Sequence, residues 1–348
     1  MTTPATLSMA KRMINASICA YQIHEDGWVP GPGTHPKVDR PIQVLGGNYF
    51  YNVVPEYQDA VGFIGPSSTY APDFVATGDD DINAGLVGVM KDGNLVISLR
   101  GTLPPNFKHD DLVEWILDWA QDAEIPPYPW QMAKAPFTDV CKVEKGFAEA
   151  TLNLWPSLAG FVDSALANHP SITGIVVTGH SKGAAMTFLV ASLVALHYPQ
   201  FKGRIQVFAF AAPATGDDNF CAAYNGMGLG ASTHRYQVQN DLVPFMPLWI
   251  DADVFKHVKA DGWIREWAWK YLESKVRKDT DGGYNAVGDF TYFDSSHNIC
   301  PGAVVDTSAL VDVSATLQAA IDGKTSDFVV IADAHSAVNS YRPCFNPY

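Results

Sequence analysis

Gly179-His180-Ser181-Lys182-Gly183 lies between two apolar runs, Ile175-Val176-Val177-Thr178 before it and Ala184 to Leu196 after it. The first run is short and β-branched, as in a buried strand; the second is long enough for a helix. G-x-S-x-G at such a junction is a nucleophile elbow, in which two glycines let strand turn sharply into helix and lift the serine hydroxyl above the sheet. The serine then sits at a helix N-terminus, where free amides and the helix dipole favour an anion. In a chain with 28 glycines the string alone carries little weight. The strand and helix on either side make it specific.

Working outward, Leu86 to Met90 and Leu95 to Leu99 read as two strands around Lys91-Asp92-Gly93-Asn94, since Asp-Gly between apolar runs signals a hairpin. A helix is predicted from Lys145 to Ala167, a strand from Ile205 to Phe210, and another from Thr233 to Gln239. Strands alternating with helices argue an α/β fold with a mainly parallel central sheet covered on both faces. Right-handed crossovers then bring the strand ends to one edge with Ser181.

Three loops on that edge supply the remaining residue types for acyl transfer. Arg100-Gly101-Thr102 ends the Leu95 to Leu99 strand, so the backbone N–H of Thr102 and that of Lys182 are the candidate oxyanion donors. Each such donor is worth about 2.7 to 4 kcal/mol in a transition state. Asn240-Asp241-Leu242-Val243-Pro244 ends the next strand and places Asp241 where an orienting carboxylate belongs. Asp217 and Asp218 open a helix and read as a cap, whereas Asp251 and Asp253 sit in a polar loop. Chain order Ser, Asp, His removes His234 as the base and leaves His257, His297 and His335. His335, after the strand-like run Phe328 to Ile331, is favoured.

The net charge of −14 opposes phosphate backbones and anionic bilayers, so nucleic acid is not an expected partner and any lipid contact must be apolar. With 47% hydrophobic and 17% charged residues, and no apolar run of 18, the composition fits a soluble globular chain; residues 1–348 read as one domain. Lys11-Arg12 ahead of Met13 to Ala20 has a leader-like outline, but Asn15 and Ser17 interrupt it, so a docked N-terminal helix is expected. Localisation stays open between the cytoplasm and export. Cys19, Cys141, Cys221, Cys300 and Cys344 show no metal spacing. Cys300 and Cys344 are the one pair weighed as a bridge, against free thiols.

Five ordered segments resemble the fungal-type class 3 lipases of the α/β-hydrolase fold: Val96 to Thr102, Val143-Glu144-Lys145-Gly146-Phe147, Val177 to Ala184, Phe210 to Asp217, and Asn240 to Pro244. The likeness runs from about Gly85 to Trp263 and resumes near His335. It implies a serine carboxylester hydrolase acting on acylglycerols, with Ser181, Asp241 and His335 as triad, Thr102 and Lys182 at the oxyanion, no cofactor, and a lipid or ester substrate met at a transient lipid–water interface. Phe255 to Val258 is similar to a structural stretch of the family, which lowers His257 as the base, and Asp333-Ala334-His335 to its terminal segment bearing the base. Lys182 and Ala184 depart from the usual Leu and Gly, and 94 positions separate Asp241 from His335. Phospholipase A1 and short-chain esterase are the rival activities, and an inactive lipid-binding protein on the same fold is the rival of another class. A serine peptidase is weaker still.

Leu112, Trp115, Ile116 and Trp119 follow helical spacing, so residues 103–120 are the candidate lid, with Pro104 and Pro105 near its hinge; an ordinary surface helix explains the same spacing. Residues 255–327 are the candidate cap insertion. Within it, Trp263 to Tyr271 is aromatic and basic, which suits either a lipid interface or packing on the body of the protein.

Overall fold

The apolar pattern around the elbow becomes the middle one of seven strands that the described residues place in one sheet of the computed structural model. Residues 3–25, 39–41, 49–64, 72–76, 83–102, 127–130, 136–138, 140–239, 241, 243–245, 284–300 and 334–348 are described. In chain order their elements begin with α1 (Pro4–Tyr21), β1 (Ile23–Glu25), β2 (Asp39–Pro41), β3 (Tyr49–Asn52), α2 (Pro55–Val61), β4 (Asp73–Ala76), β5 (Ala84–Val89) and β6 (Asn94–Leu99). They continue with β7 (Pro127–Pro129), β8 (Lys142–Glu144), α3 (Lys145–Asn168), β9 (Gly174–His180), α4 (Lys182–His197), β10 (Ile205–Phe210), α5 (Asp218–Gly226), β11 (Thr233–Val238) and β12 (Asp289–Phe293).

The sheet runs β12-β11-β10-β9-β6-β5-β4. Pairings from β6 to β12 are parallel, and β5 and β4 add an antiparallel edge. The sheet is thus mainly parallel and flanked by helices, as the alternation of strands and helices implied. The β5–β6 hairpin forms at the predicted turn: Gly93 takes φ +85°, and the Asp92 carboxylate accepts the Asn94 amide at 3.1 Å. Only glycine adopts that φ without strain.

Strand alternation sorts the core into two layers. Leu95, Ile97, Leu99, Ile175, Val177 and Val207 pack with Leu154 and Leu158 of α3 and Phe188 and Leu189 of α4. Val96, Val176, Phe208 and Phe210 face the other way, onto Met13 and Ile14 of α1 and onto Phe345. The N-terminal segment is thus a docked helix, capped by the Thr3 hydroxyl with Pro4 in its first turn. Its polar interruptions have partners: Asn15 accepts from Arg342 Nε at 3.0 Å, and Ser17 shares a hydrogen bond of 3.2 Å with Thr178. Ser98 Oγ also donates to the Ala16 carbonyl at 2.9 Å, fixing α1 to β6. Among the described residues, no helix is long and apolar enough to cross a membrane.

Asp289–Phe293, inside the stretch assigned to a cap, is a parallel strand of the central sheet beside β11. Its short, partly buried run lacks the continuous apolar signal of β9 and becomes a strand by pairing with β11. All five cysteines are free thiols, so Cys300 and Cys344 are not bridged. Cys344 is buried against the Ser340 carbonyl instead, at 3.2 Å. The candidate lid at 103–120, the remainder of 255–327 apart from 284–300, His257, and the strand-like run 328–331 lie outside the described residues.

Candidate active site

β9 ends at His180, and the next residue, Ser181, takes φ 60° and ψ −132° before α4 begins at Lys182. A non-glycine side chain in this region is strained, and the surroundings must hold it there. Two glycines make the turn possible. A Cβ on Gly179 would lie 2.4 Å from the Gly183 carbonyl oxygen, and one on Gly183 would lie 2.3 Å from that of Leu99. Ser181 N donates to the Phe210 carbonyl at 3.0 Å, which pins the elbow to β10. The serine is 2% exposed.

The loop after β6 packs directly on it. A Cβ on Gly101 would come within 2.9 Å of Ser181 Cβ and 2.1 Å of the Tyr21 hydroxyl, so only glycine lets this loop approach the nucleophile. Thr102 follows, with its Oγ1 buried and without a hydrogen-bond partner among the described residues. Arg100, 2% exposed, anchors the start of the loop by donating from Nη1 to the Ile23 carbonyl.

Asp241 is completely buried, and its carboxylate gathers three donors. His335 Nδ1 lies 3.0 Å from both oxygens, Val243 N donates at 3.0 Å, and the Tyr341 hydroxyl donates to Oδ2. Asp241 and His335 meet although 94 positions apart. His297 lies in a turn after β12, at φ 64°, with its amide donating to the Asp294 carbonyl at 2.9 Å. The histidine on the Asp241 carboxylate is therefore His335.

Three aromatic side chains that the sequence reading left without a role support this arrangement. The Tyr21 hydroxyl lies 2.9 Å from His180 Nδ1 and accepts the Gly101 amide, joining α1 to the elbow and to the loop after β6. The His180 ring lies 4.7 Å from that of His335 and 5.3 Å from that of Tyr341. Burial holds His180 well below the usual imidazole range, and the neighbouring His335 adds to this while a contact with the His335 backbone opposes it. A neutral imidazole is thus packed beneath His335. Tyr341 is raised well above the phenol range by burial and then by the Asp241 carboxylate, so its hydroxyl stays a donor. Its position in an irregular terminal turn, Ala337–Tyr341, carries no sequence signal.

Tyr341→Phe should remove one donor from a buried carboxylate, lowering stability by about 2 kcal/mol and kcat by about tenfold, because hydrogen bonds to charged groups contribute about 1.5 to 3 kcal/mol. Urea unfolding and ester kinetics on the same preparation check it; an unchanged kcat would show that Val243 N and His335 suffice to orient Asp241. Among the described residues, no group of three His, Cys, Asp or Glu side chains is placed to hold a metal ion.

A strained serine between strand and helix, a glycine-backed loop against it and a buried carboxylate on an imidazole coincide with one sequence match. Residues 97–250 match the model of the class 3 lipase family. The matched segment contains Gly101, Thr102, Ser181, Lys182 and Asp241, and His335 lies beyond it. A secreted mono- and diacylglycerol lipase of Gibberella zeae is 25% identical over 158 residues, 44% of this chain and 48% of that protein. The chain thus spans about half the length of that curated relative. Among solved structures, a mutant MDLA from Penicillium cyclopium is similar at 18% identity and TM-score 0.49, covering 89% of this chain and 86% of that one. Lipase II from Rhizopus niveus is similar at 19% identity and TM-score 0.48, covering 71% and 76%.

Proposed function

We propose that this class 3 lipase relative is a serine carboxylester hydrolase that cleaves acylglycerol esters. The observation that carries the proposal is Asp241 hydrogen-bonded to His335 Nδ1 in a fold whose elbow strains Ser181. Nδ1–H on the carboxylate leaves Nε2 as the basic nitrogen. Ser181 Oγ attacks the ester carbonyl while His335 Nε2 takes its proton, giving a tetrahedral intermediate. The backbone N–H groups of Thr102 and Lys182 hold the oxyanion. As the intermediate collapses, the C–O bond to the alcohol breaks and His335 returns the proton to the departing oxygen. Water then attacks the acyl-Ser181 ester by the same steps, releasing the acid and the free serine. No metal or organic cofactor takes part in this sequence. The substrate is an apolar ester, in keeping with the chain's charge of −14 and with the activity named for its relative from Gibberella zeae.

Hydrolysis of a series of p-nitrophenyl esters, from acetyl to palmitoyl, by wild type and Ser181→Ala tests the reading. Wild-type turnover that vanishes in the variant is expected, with a preference for medium or long chains. A short-chain optimum would replace the lipase assignment with an esterase, and equal rates in the two proteins would overturn the nucleophile.

A further inference from the structure

The chain that carries Thr102 leaves the sheet after Leu99, so a backbone amide aimed at an oxyanion there must be held by something other than strand pairing. Among the described residues, no backbone carbonyl accepts the amide of Gly101 or of Thr102. The holding contacts come instead from the end of α1 and the start of β1. Arg100 Nη1 donates to the Ile23 carbonyl, and the Tyr21 hydroxyl lies against Gly101, within 2.1 Å of where a Cβ would be. The same Cβ position is 2.7 Å from the His180 carbonyl oxygen and 2.9 Å from Ser181 Cβ. One small space beside Gly101 is thus shared by the phenol oxygen, the His180 carbonyl and the nucleophilic residue. The phenol is itself fixed. Its oxygen lies 2.9 Å from His180 Nδ1, and the two rings meet edge to face, with centroids 5.8 Å apart at 63°. Since His180 directly precedes Ser181, the hydroxyl is tied to the elbow and touches the loop after β6 at the same time. The proton count agrees with both contacts. Burial keeps His180 neutral and the phenol protonated. The single phenol hydrogen goes to Nδ1, and the oxygen lone pairs are left for the Gly101 amide. That arrangement places the His180 proton on Nε2.

We propose that Tyr21 is a positioning residue: its hydroxyl, tied to His180, sets the distance between the Gly101-Thr102 loop and the elbow, and so the aim of the Thr102 backbone N–H. The inference rests on the proposed hydrolase reading. The first helix of the chain then contributes to the oxyanion site through the backbone it supports. Loss of an oxyanion donor costs about 10²- to 10³-fold in kcat; a donor displaced but present costs less, so removing the hydroxyl should cost about tenfold. The loss falls on kcat and spares KM, because the donor acts on charge that develops only in the transition state.

The experiment compares kcat and KM for p-nitrophenyl butyrate in wild type, Tyr21→Phe and Tyr51→Phe, with urea unfolding of each. Tyr21→Phe keeps the ring and removes only the hydroxyl. Tyr51 is a buried phenol in the layer that holds α1, and its hydroxyl accepts from Gln58 Nε2 at 3.3 Å, so its variant reports what losing a core hydroxyl does by itself. kcat should fall about tenfold in Tyr21→Phe with KM little changed, and stay near wild type in Tyr51→Phe. A second readout is inhibition by an alkyl trifluoromethyl ketone. Ser181 Oγ adds to its carbonyl carbon, the serine proton passes to His335 Nε2, and the carbonyl oxygen becomes the anion that the hole must hold. Its inhibition constant should rise about tenfold in Tyr21→Phe, whereas that of the matching methyl ketone, bound as the ketone, should not change. An unchanged kcat in Tyr21→Phe, an equal loss in Tyr51→Phe, or a fall in kcat without weaker binding of the trifluoromethyl ketone would overturn the proposal while leaving the hydrolase reading intact. No turnover by the wild type would overturn both.

Discussion

His335→Ala is expected to lower kcat/KM for a soluble ester by roughly 10⁴- to 10⁶-fold, whereas His297→Ala should leave most of the activity. The contrast follows from position. His335 Nδ1 is on both oxygens of a completely buried carboxylate, and a base so oriented presents its other nitrogen in a fixed direction. His297 occupies the left-handed position of a turn closed by Asp294, whose carboxylate accepts the amides of Ser296 and Asn298, each at 2.8 Å. Its substitution changes a turn and no group on Asp241. Steady-state kinetics of the two variants at one pH separate the assignments, and a collapse in His297→Ala with activity retained in His335→Ala would reverse them.

Gly183→Ala is expected to destabilise the protein by at least about 3 kcal/mol, at the upper end of overpacking costs, because the added carbon meets backbone. Its Cβ would lie 2.3 Å from the Leu99 carbonyl oxygen and 2.8 Å from the Arg100 carbonyl carbon. No rotamer relieves such a clash; β6 and α4 would have to separate, opening the contact between the proposed oxyanion loop and the elbow. Gly160, in the middle of α3, is the control. Nothing lies within 4 Å of a Cβ there, so Gly160→Ala should stabilise by about 0.5 to 1 kcal/mol through helix propensity alone. Urea midpoints of the two variants check both signs, and a Gly183→Ala protein as stable as wild type would show that β6 and α4 are not locked at this point.

Both expectations draw on features that were unequally visible in the sequence. The elbow strand, the β5–β6 hairpin, α3, β10 and β11 follow from apolar runs, a period of two or of 3.6, and an Asp-Gly turn, all of which act within a few residues. The cap at Asp217 was legible for the same reason, and its carboxylate accepts the Phe220 amide at 2.8 Å. β12 was hidden inside a longer polar and aromatic stretch, because its seat in the sheet comes from pairing with β11, about 55 positions earlier in the chain.

The sequence by itself determined the strand, the strained turn and the helix that present Ser181, because glycine spacing and hydrophobic period bias backbone angles locally. Only the tertiary structure decided which histidine meets Asp241, that Tyr341 joins them from 100 positions away, and that Tyr21 of the first helix reaches His180 across 159. Those pairings depend on how the sheet brings distant strand ends to one edge and on burial that forces each polar group to find a partner there. No short window of sequence encodes either condition.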